Sequence, residues 1–375
     1  MHMADALISP EVGGAMWAVT AGVMAWCARK VKETRDDRLI PMMGVLGAFI
    51  FTAQMLNFSI PVTGSSGHLG GGLILAVLLG PYAAFLVIAS VLTVQALFFA
   101  DGGLLALGCN IFNLGFAPAF IAYPLLYKWI AGKDRVGARA WAAAMVAAIV
   151  GLQLGAFGVV VETRLSGISE LPFEAFVLIM QPIHLAIGIV EGLATAVVVA
   201  FVARARPEAL EVDAEVDRDL RARSVDVLCP KATDAARLVL RSEGTLLRRV
   251  VRSAPTLLIG FLIAATILGG VASWFASTHP DGLEWSIAKV TGKEEFAGKA
   301  VGVHEKLAVV QSRTAFLPDY GFGKQNVFAD PVGSAPEPWP RVNAGTSVSG
   351  LVGGALVLVF SVLIGVVLRA RGKPV

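Results

Sequence analysis

Gly70-Gly-Gly-Leu-Ile-Leu-Ala-Val-Leu-Leu-Gly80-Pro81-Tyr-Ala-Ala-Phe-Leu-Val-Ile-Ala-Ser90-Val-Leu-Thr-Val-Gln-Ala-Leu-Phe-Phe99 carries no charged side chain. A helix crosses the hydrocarbon core of a bilayer with about 20 mostly apolar residues, so this stretch is too long for one helix. Gly80-Pro81 divides it, because proline has no N–H to give and its ring clashes with the preceding turn. The stretch reads as two antiparallel helices, 70–80 and 82–100, the first one short. Working outward, further apolar spans fall near 12–28, 40–58, 108–130, 141–162 and 175–203. That makes seven before residue 205, with two more near 254–275 and 346–368. The predicted fold is all-α and polytopic in a membrane: a seven-helix bundle plus two further transmembrane helices that bracket an outer loop.

The composition agrees. Of 375 residues, 56% are hydrophobic and 16% are charged, where a soluble domain carries about 25% charged residues. Mean hydropathy is +0.71. The net charge of +3 comes without a basic stripe interleaved with aromatics, so nucleic acid is not an expected partner; the lipid bilayer is. Cys27, Cys109 and Cys229 are far apart and form no CxxC pair, so buried or free thiols are expected rather than a disulfide framework. A secretory signal places positive charge before its apolar run. Here Arg29 and Lys30 follow the first run, as in a retained first helix.

Positive charge also gives an expected orientation. Arg29, Lys30, Lys32, Arg35 and Arg38 follow the first span. Lys128, Lys133, Arg135 and Arg139 mark the inner end of the fifth. Arg204 and Arg206 follow the seventh, Arg248, Arg249 and Arg252 precede the eighth, and Arg369, Arg371 and Lys373 follow the ninth. These fall on one side if the N-terminus is outside, with Arg164 the exception among short loops. The positive-inside rule makes that side cytoplasmic, in the cell (inner) membrane, with the C-terminus cytoplasmic as well. Three units are expected: 1–205, a membrane domain; 206–252, a charged cytoplasmic linker with candidate helices near 209–223 and 231–250; and 253–375, a unit separable from the first, with two helices around an outer loop at 276–345.

Met1-His2 opens the chain, and His68 lies in the uncharged loop Ser59-Ile-Pro-Val-Thr-Gly-Ser-Ser-Gly-His-Leu-Gly70. A free α-amine, the backbone nitrogen of residue 2 and the His2 imidazole can hold one ion in fused rings. A fourth nitrogen from His68 would complete a plane, which suits Ni(II) or Cu(II). Methionine is retained before a residue as large as histidine, and the expected topology puts Met1 and the His68 loop on the same outer side. Glycines at 64, 67, 70, 71 and 72 let the backbone come close. Met1, His2 and His68 are therefore the candidate metal ligands, with Met3 expected to pack in apolar surroundings.

Polar residues inside spans are costly and often functional. Gln54, Asn57, Gln95, Asn110, Asn113, Gln153, His184 and Glu191 qualify, and interhelical hydrogen bonding is the plain reading of most. Asn57, Gln95 and Asn113, near outer ends, are candidates to hold a ligating histidine by its other nitrogen. His184 is read as a packed, hydrogen-bonded histidine, with a metal-linked role as the alternative. His279, Asp281, Glu284 and His304 could capture metal weakly, but Pro280-Asp-Gly282 is also an ordinary turn, and the turn is the reading adopted. No P-loop, H-E-x-x-H or G-x-S-x-G occurs, so the chain is not expected to be an enzyme, and ATP, if used, is hydrolysed by another subunit.

The opening Met1-His-Met-Ala-Asp-Ala-Leu-Ile-Ser-Pro10, the run Pro61-Val-Thr-Gly-Ser-Ser-Gly-His-Leu-Gly-Gly-Gly72 and the run Asp101-Gly-Gly-Leu-Leu-Ala-Leu-Gly-Cys-Asn-Ile-Phe-Asn113 resemble the metal-binding M components of energy-coupling factor (ECF) transporters for nickel and cobalt. The likeness covers residues 1 to about 205. The second half, with Pro280-Asp-Gly-Leu-Glu284, resembles the small N component, so the chain looks like a natural M–N fusion. The resemblance implies a seven-helix substrate-binding protein with an external N-terminus. It implies Ni(II) or Co(II) as transported substrate, held by the Met1 amine, the His2 backbone nitrogen and imidazole, and His68. The implied partners are a transmembrane coupling (T) protein and cytoplasmic ATP-binding subunits. Nickel is favoured over cobalt. A metal sensor or scaffold that binds without transport, and a proton-coupled secondary transporter using Glu191 and Glu162, are the alternatives.

Overall fold

The computed structural model describes residues 2–34, 38–134, 136–169, 171–205, 256–292, 301–322 and 339–370. Met1, Cys229 and the two helices expected in 206–252 lie outside the described residues. The seven expected helices of the first half are α1 (Pro10–Thr34), α2 (Leu39–Gln54), α3 (Gly72–Leu79), α4 (Pro81–Phe98), α5 (Leu107–Ala131), α6 (Ala138–Ser166) and α7 (Phe173–Ala205). The second half adds α8 (Thr256–Gly270), α9 (Gly282–Thr291), α10 (Val303–Thr314) and α11 (Ala344–Ala370). Among the described residues, α4, α5, α6, α7 and α11 are long and apolar enough to cross a membrane by length and composition. The fold is that of a polytopic, mostly helical membrane protein.

The break that decides the fold lies at Gly80. Its φ of +77° is a conformation that glycine adopts freely, and Pro81 starts α4 where its missing N–H costs nothing. At eight residues, α3 spans only about 12 Å. It ends inside the protein, buried along its whole length, and packs on α4 and α5. The middle of α5, Phe112–Tyr127, is wound as a π-helix and contains Pro118 and Pro124. Glycines set the closest helix crossings. Gly188 and Gly192, four residues apart on α7, sit against the backbone of Ile149 and Met145 on α6. A Cβ at either position would stand 2.9 or 2.8 Å from a Cα of that helix, so small residues are needed there.

Two local expectations are corrected. The second span ends at Gln54 rather than 58, and the chain then forms a small antiparallel hairpin, β1 (Phe58–Ile60) with β2 (Ser65–Gly67), in which Ser59 pairs with Ser66. Three-residue strands are too short to show a period of two. The turn between them needs positive φ at Val62 and Gly64. The outer segment 276–345 also contains helices. Asp281 caps α9 through Leu283 N–H and Glu284 N–H, and the Glu284 carboxylate accepts the Asp281 N–H in return, a capping box.

The second unit is not set apart from the first. α11 lies along α2 and touches α4, with Gly44 and Gly47 facing Val362 and Val357 and Gly353 against Phe51. Val357 is fully buried in the shared core. α8 and α11 cross at Gly269 and Gly350, where a Cβ on Gly350 would lie 2.5 Å from the other backbone. This brings the outer segment over the end of the bundle that carries the hairpin.

Candidate metal centre

Residues 2–8 lie in a groove cut by the loop before α5. Met3 is fully buried. Its N–H donates to Asn110 Oδ1 at 2.9 Å, and its carbonyl accepts from Asn110 Nδ2 at 3.2 Å and from Gly103 N–H at 2.9 Å. Asp5 Oδ1 accepts from the N–H groups of Leu105 and Ala106, at 2.8 and 3.0 Å. Gly102 holds φ +82°, and a Cβ at Gly103 would lie 1.9 Å from Asp5 Oδ1. Asp101-Gly102-Gly103 is thus the floor on which the N-terminal segment rests. Leu7 and Ile8 bury their side chains to anchor it, so His2 is delivered to a fixed place.

His68 is delivered by the hairpin and α3. Glu191 of α7 accepts from Gly70 N–H at 2.6 Å and Gly71 N–H at 3.1 Å, satisfying donors at the start of α3. Gln95 donates to Gln54 Oε1 and Gln54 donates to the Gly70 carbonyl, both at 2.9 Å. The main-chain carbonyl of Gln95 also accepts from Asp101 N–H at 3.2 Å, so one residue ties both loops together. His68 Nδ1 lies 3.0 Å from the Leu69 carbonyl. A carbonyl only accepts, so Nδ1 carries the proton and Nε2 is the ring's lone-pair nitrogen. Burial pushes the His68 imidazole down to about 3, which keeps it neutral, the form a metal requires.

The two rings meet. His2 and His68 stack with centroids 5.0 Å apart and planes 3° from parallel. His2 Nδ1 lies 3.0 Å from Asp101 Oδ1, and His2 Nε2 is buried without a hydrogen-bond partner. Burial alone would raise the Asp101 carboxyl, but His2 and the Tyr320 hydroxyl beside it hold it down at about 2, so it stands as a carboxylate. Tyr320 donates to its other oxygen. His68 Nε2 is 4.0 Å from Asp281 Oδ2. Among the described residues no cluster of three or more His, Cys, Asp or Glu side chains is arranged to hold an ion.

Residues of the second unit, from His279 to His304, close this site. Ser66 N–H donates to the Pro280 carbonyl at 2.8 Å and Ser66 Oγ to the His279 carbonyl at 2.8 Å. Trp285 Nε1–H donates to Thr63 O at 3.0 Å, and His304 Nε2–H to Ile8 O at 2.9 Å. A cavity of about 670 Å³ remains, lined by His2, His68, Asp101, Asp281, Glu284 and His304 among others. Among its described lining residues the acidic side chains, Asp5, Asp101, Asp281, Glu284 and Asp319, outnumber Arg341 and give it a field that favours cations.

Of the residues selected from sequence, His2 and His68 come together. Asn57 lines the cavity and its carbonyl accepts from Ser277 N–H. Gln95 acts through Gln54 as described. Asn113 donates to Glu162 at 2.7 Å and does not line the cavity. Met3 packs as expected. His184 is buried, its Nδ1 2.8 Å from the Met180 carbonyl. Sequence reasoning did not single out Asp101, Asp5 and Tyr320. Asp101 opens the run Asp101–Asn113 that carries part of the family resemblance, but nothing in its spacing pointed to His2.

This is a polytopic helical membrane protein with two stacked histidines beside a cavity rich in acidic side chains. Residues 2–209 match the CbiM family model, described as the cobalt uptake substrate-specific transmembrane region, and residues 255–370 match the PDGLE domain. The chain belongs to the CbiM family and carries a PDGLE domain behind it. It is similar to the fused nickel transport protein NikMN of Rhodobacter capsulatus, 31% identical over 63% of this chain and 73% of that one. A chain of Archaeoglobus fulgidus also named for fused nickel transport, NikMN, is 36% identical over 56% of this chain and 68% of its own. The cobalt transport protein CbiM of Geobacter sulfurreducens is 31% identical over 58% and 63%. A solved transition metal transporter is 30% identical, with a TM-score of 0.49 over 56% of this chain and 95% of that one.

Proposed function

We propose that the protein is the metal-binding, substrate-specificity subunit of an ATP-driven ECF-type importer, with Ni(II) favoured over Co(II) as the transported ion. The observation that carries this is the meeting of His2 and His68 at 5.0 Å, from segments that are otherwise held by separate parts of the fold. The ligands in this reading are the Met1 amine, the His2 backbone nitrogen, His2 Nδ1 and His68 Nε2. A chelate with the backbone nitrogen of residue 2 needs Nδ1, since only that nitrogen closes a six-membered ring. In the structure His2 Nδ1 faces Asp101 at 3.0 Å, so binding requires this nitrogen to leave the carboxylate for the ion. The relatives named for nickel transport, and the planar set of nitrogens, favour nickel.

In this reading the chain sits in the cell membrane with its N-terminus and outer segment outside and its C-terminus in the cytoplasm. Residues 1–205 bind the ion, 206–252 link, and 253–375 cover the site. A T protein and ATP-binding subunits supply the motion. Glu191 and Glu162, the carboxylates a proton-coupled carrier would use, are engaged with Gly70, Gly71 and Asn113. That favours a supporting role for them over a proton path. The deciding experiment adds one residue ahead of Met1 and measures Ni(II) binding by calorimetry. High-affinity binding should vanish; undiminished affinity would refute the chelate.

A further inference from the structure

Residues 317–320 follow α10 and dock on the end of α4. Leu317 N–H donates to the Phe98 carbonyl at 3.2 Å, and Asp319 N–H to the Phe99 carbonyl at 2.9 Å. Leu317 is buried. The Tyr320 ring stacks on Phe99 with centroids 5.0 Å apart and meets the edge of Phe51 on α2. These contacts deliver the Tyr320 hydroxyl to Asp101 Oδ2, two residues beyond Phe99. Asp101 Oδ1 lies 3.0 Å from His2 Nδ1. One carboxylate thus carries a histidine of the first unit on one oxygen and a hydroxyl of the second unit on the other. The backbone on both sides of this bond is strained. Among the described residues four non-glycine positions have positive φ, and three of them flank it: Ala100 at +56°, Asp319 at +51° and Tyr320 at +56°. A side chain is disfavoured there because Cβ crowds the carbonyl oxygen. Such conformations persist where the surrounding structure over-determines them, as at ligand clamps.

We propose that Tyr320 is a positioning residue of the metal centre: its hydroxyl anchors Asp101 so that His2 Nδ1 can pass from the carboxylate to the ion. This inference rests on His2 and His68 being the ligands. Binding then takes Nδ1 off Asp101, and the carboxylate loses a donor at that moment. With Tyr320 in place one donor remains on the other oxygen. Without it the charge would stand unsupported in a cavity already rich in acidic side chains, where like charges oppose it. A hydrogen bond to the charged form also makes a carboxylate less basic, so Asp101 holds His2 less tightly than it would alone. Both effects ease the exchange, and the charge of Asp101 stays beside the bound cation. Tyr320 touches no ligand and acts only through Asp101. A hydroxyl of the second unit thereby sets how readily the chelate of the first unit forms.

Tyr320→Phe removes the hydroxyl and keeps the ring on Phe99. Full chains carrying Y320F, Asp101→Asn or both are compared with the parent for Ni(II) binding, by calorimetry for affinity and by stopped flow for the association rate. Y320F should bind about tenfold more weakly. Most of that loss should lie in the association rate, since the step made costlier is the departure of Nδ1. In the D101N background the same change should cost less than about twofold, because no carboxylate remains to be anchored. A residue that only docks the second unit would add the same loss in either background. Affinity equal to the parent, or a loss of equal size in both backgrounds, overturns the role of Tyr320. A His68→Ala chain run in parallel tells the two ideas apart. If it binds nickel like the parent, the ligand assignment is wrong and this inference goes with it. If binding needs His68 and the Tyr320–Asp101 cycle shows no coupling, only the role of Tyr320 falls.

Discussion

Asp101 decides how His2 stands. Its carboxylate takes His2 Nδ1 on one oxygen and the Tyr320 hydroxyl on the other, so it fixes the ring before the ion arrives and leaves a negative charge beside the site that favours a cation. Asp101→Asn keeps the shape and removes the charge. Nickel affinity should fall by about tenfold to a hundredfold, with the helical content of the protein unchanged by circular dichroism. An unchanged Kd would mean that Asp101 only shapes the loop. Gly103 tests the floor beneath the N-terminal segment. A Cβ there would overlap Asp5 Oδ1 at 1.9 Å and Asp5 N at 2.4 Å, and backbone on both sides cannot yield. Gly103→Ala should release residues 2–8 from their groove, which calorimetry would report as lost nickel binding and limited proteolysis as new cleavage near the N-terminus. Protection equal to the parent would show that the segment does not need this contact.

Glu191 acts from one element upon another. It projects from α7 to the first residues before α3, where its two oxygens meet Gly70 N–H and Gly71 N–H. Each such bond is worth about 0.5–1.5 kcal/mol net, and a buried N–H left without its acceptor costs about 1–3 kcal/mol. Glu191→Gln turns one acceptor into an NH2 that faces an N–H. The His68 loop should loosen, and nickel affinity should fall while α6 and α7 stay packed through Gly188 and Gly192. The measurement is calorimetry beside thermal unfolding; a lower melting temperature with unaltered affinity would contradict the role. The elements themselves were readable in advance. Runs of apolar residues and the Gly80-Pro81 break are strong signals, because a bilayer admits few alternatives to a helix. The pairing of His2 with His68 was also legible, from the chemistry of a free terminus and matched sides of the membrane. Less was visible in the hairpin and in α9 and α10, where short elements leave no period to detect. The contact of Asp101 with His2 was invisible, since it depends on which loops fold over the same end of the bundle.

At the scale of the whole molecule, the second half reaches every segment that builds the centre. It holds the hairpin through Ser66 and Trp285, the N-terminal segment through His304, and Asp101 through Tyr320. Gln311 adds bonds to the carbonyls of Ala96 and Gly102, at 2.9 and 2.8 Å. A chain stopped near Ala209 loses all of these. It also loses α11 from the face of α2, but lipid can cover that apolar face almost as well as a helix does. The bundle of α1 to α7 should therefore persist. The groove that holds residues 2–8 is made by Asn110, Gly103 and the N–H groups of Leu105 and Ala106 within the first half, and Glu191 still holds the His68 loop. Nickel binding should survive truncation, weakened only as far as the freed hairpin gains entropy. Uptake should not survive. The outer segment forms much of the wall of the cavity through which an ion would reach His2 and His68, so without it the site is exposed. Cells expressing the truncation with the T and ATP-binding subunits should bind nickel yet fail to accumulate it, and supplying residues 253–375 as a separate chain should restore some transport, because the halves meet through packing and hydrogen bonds. Full accumulation by the truncation alone would show that the outer segment takes no part in loading the ion.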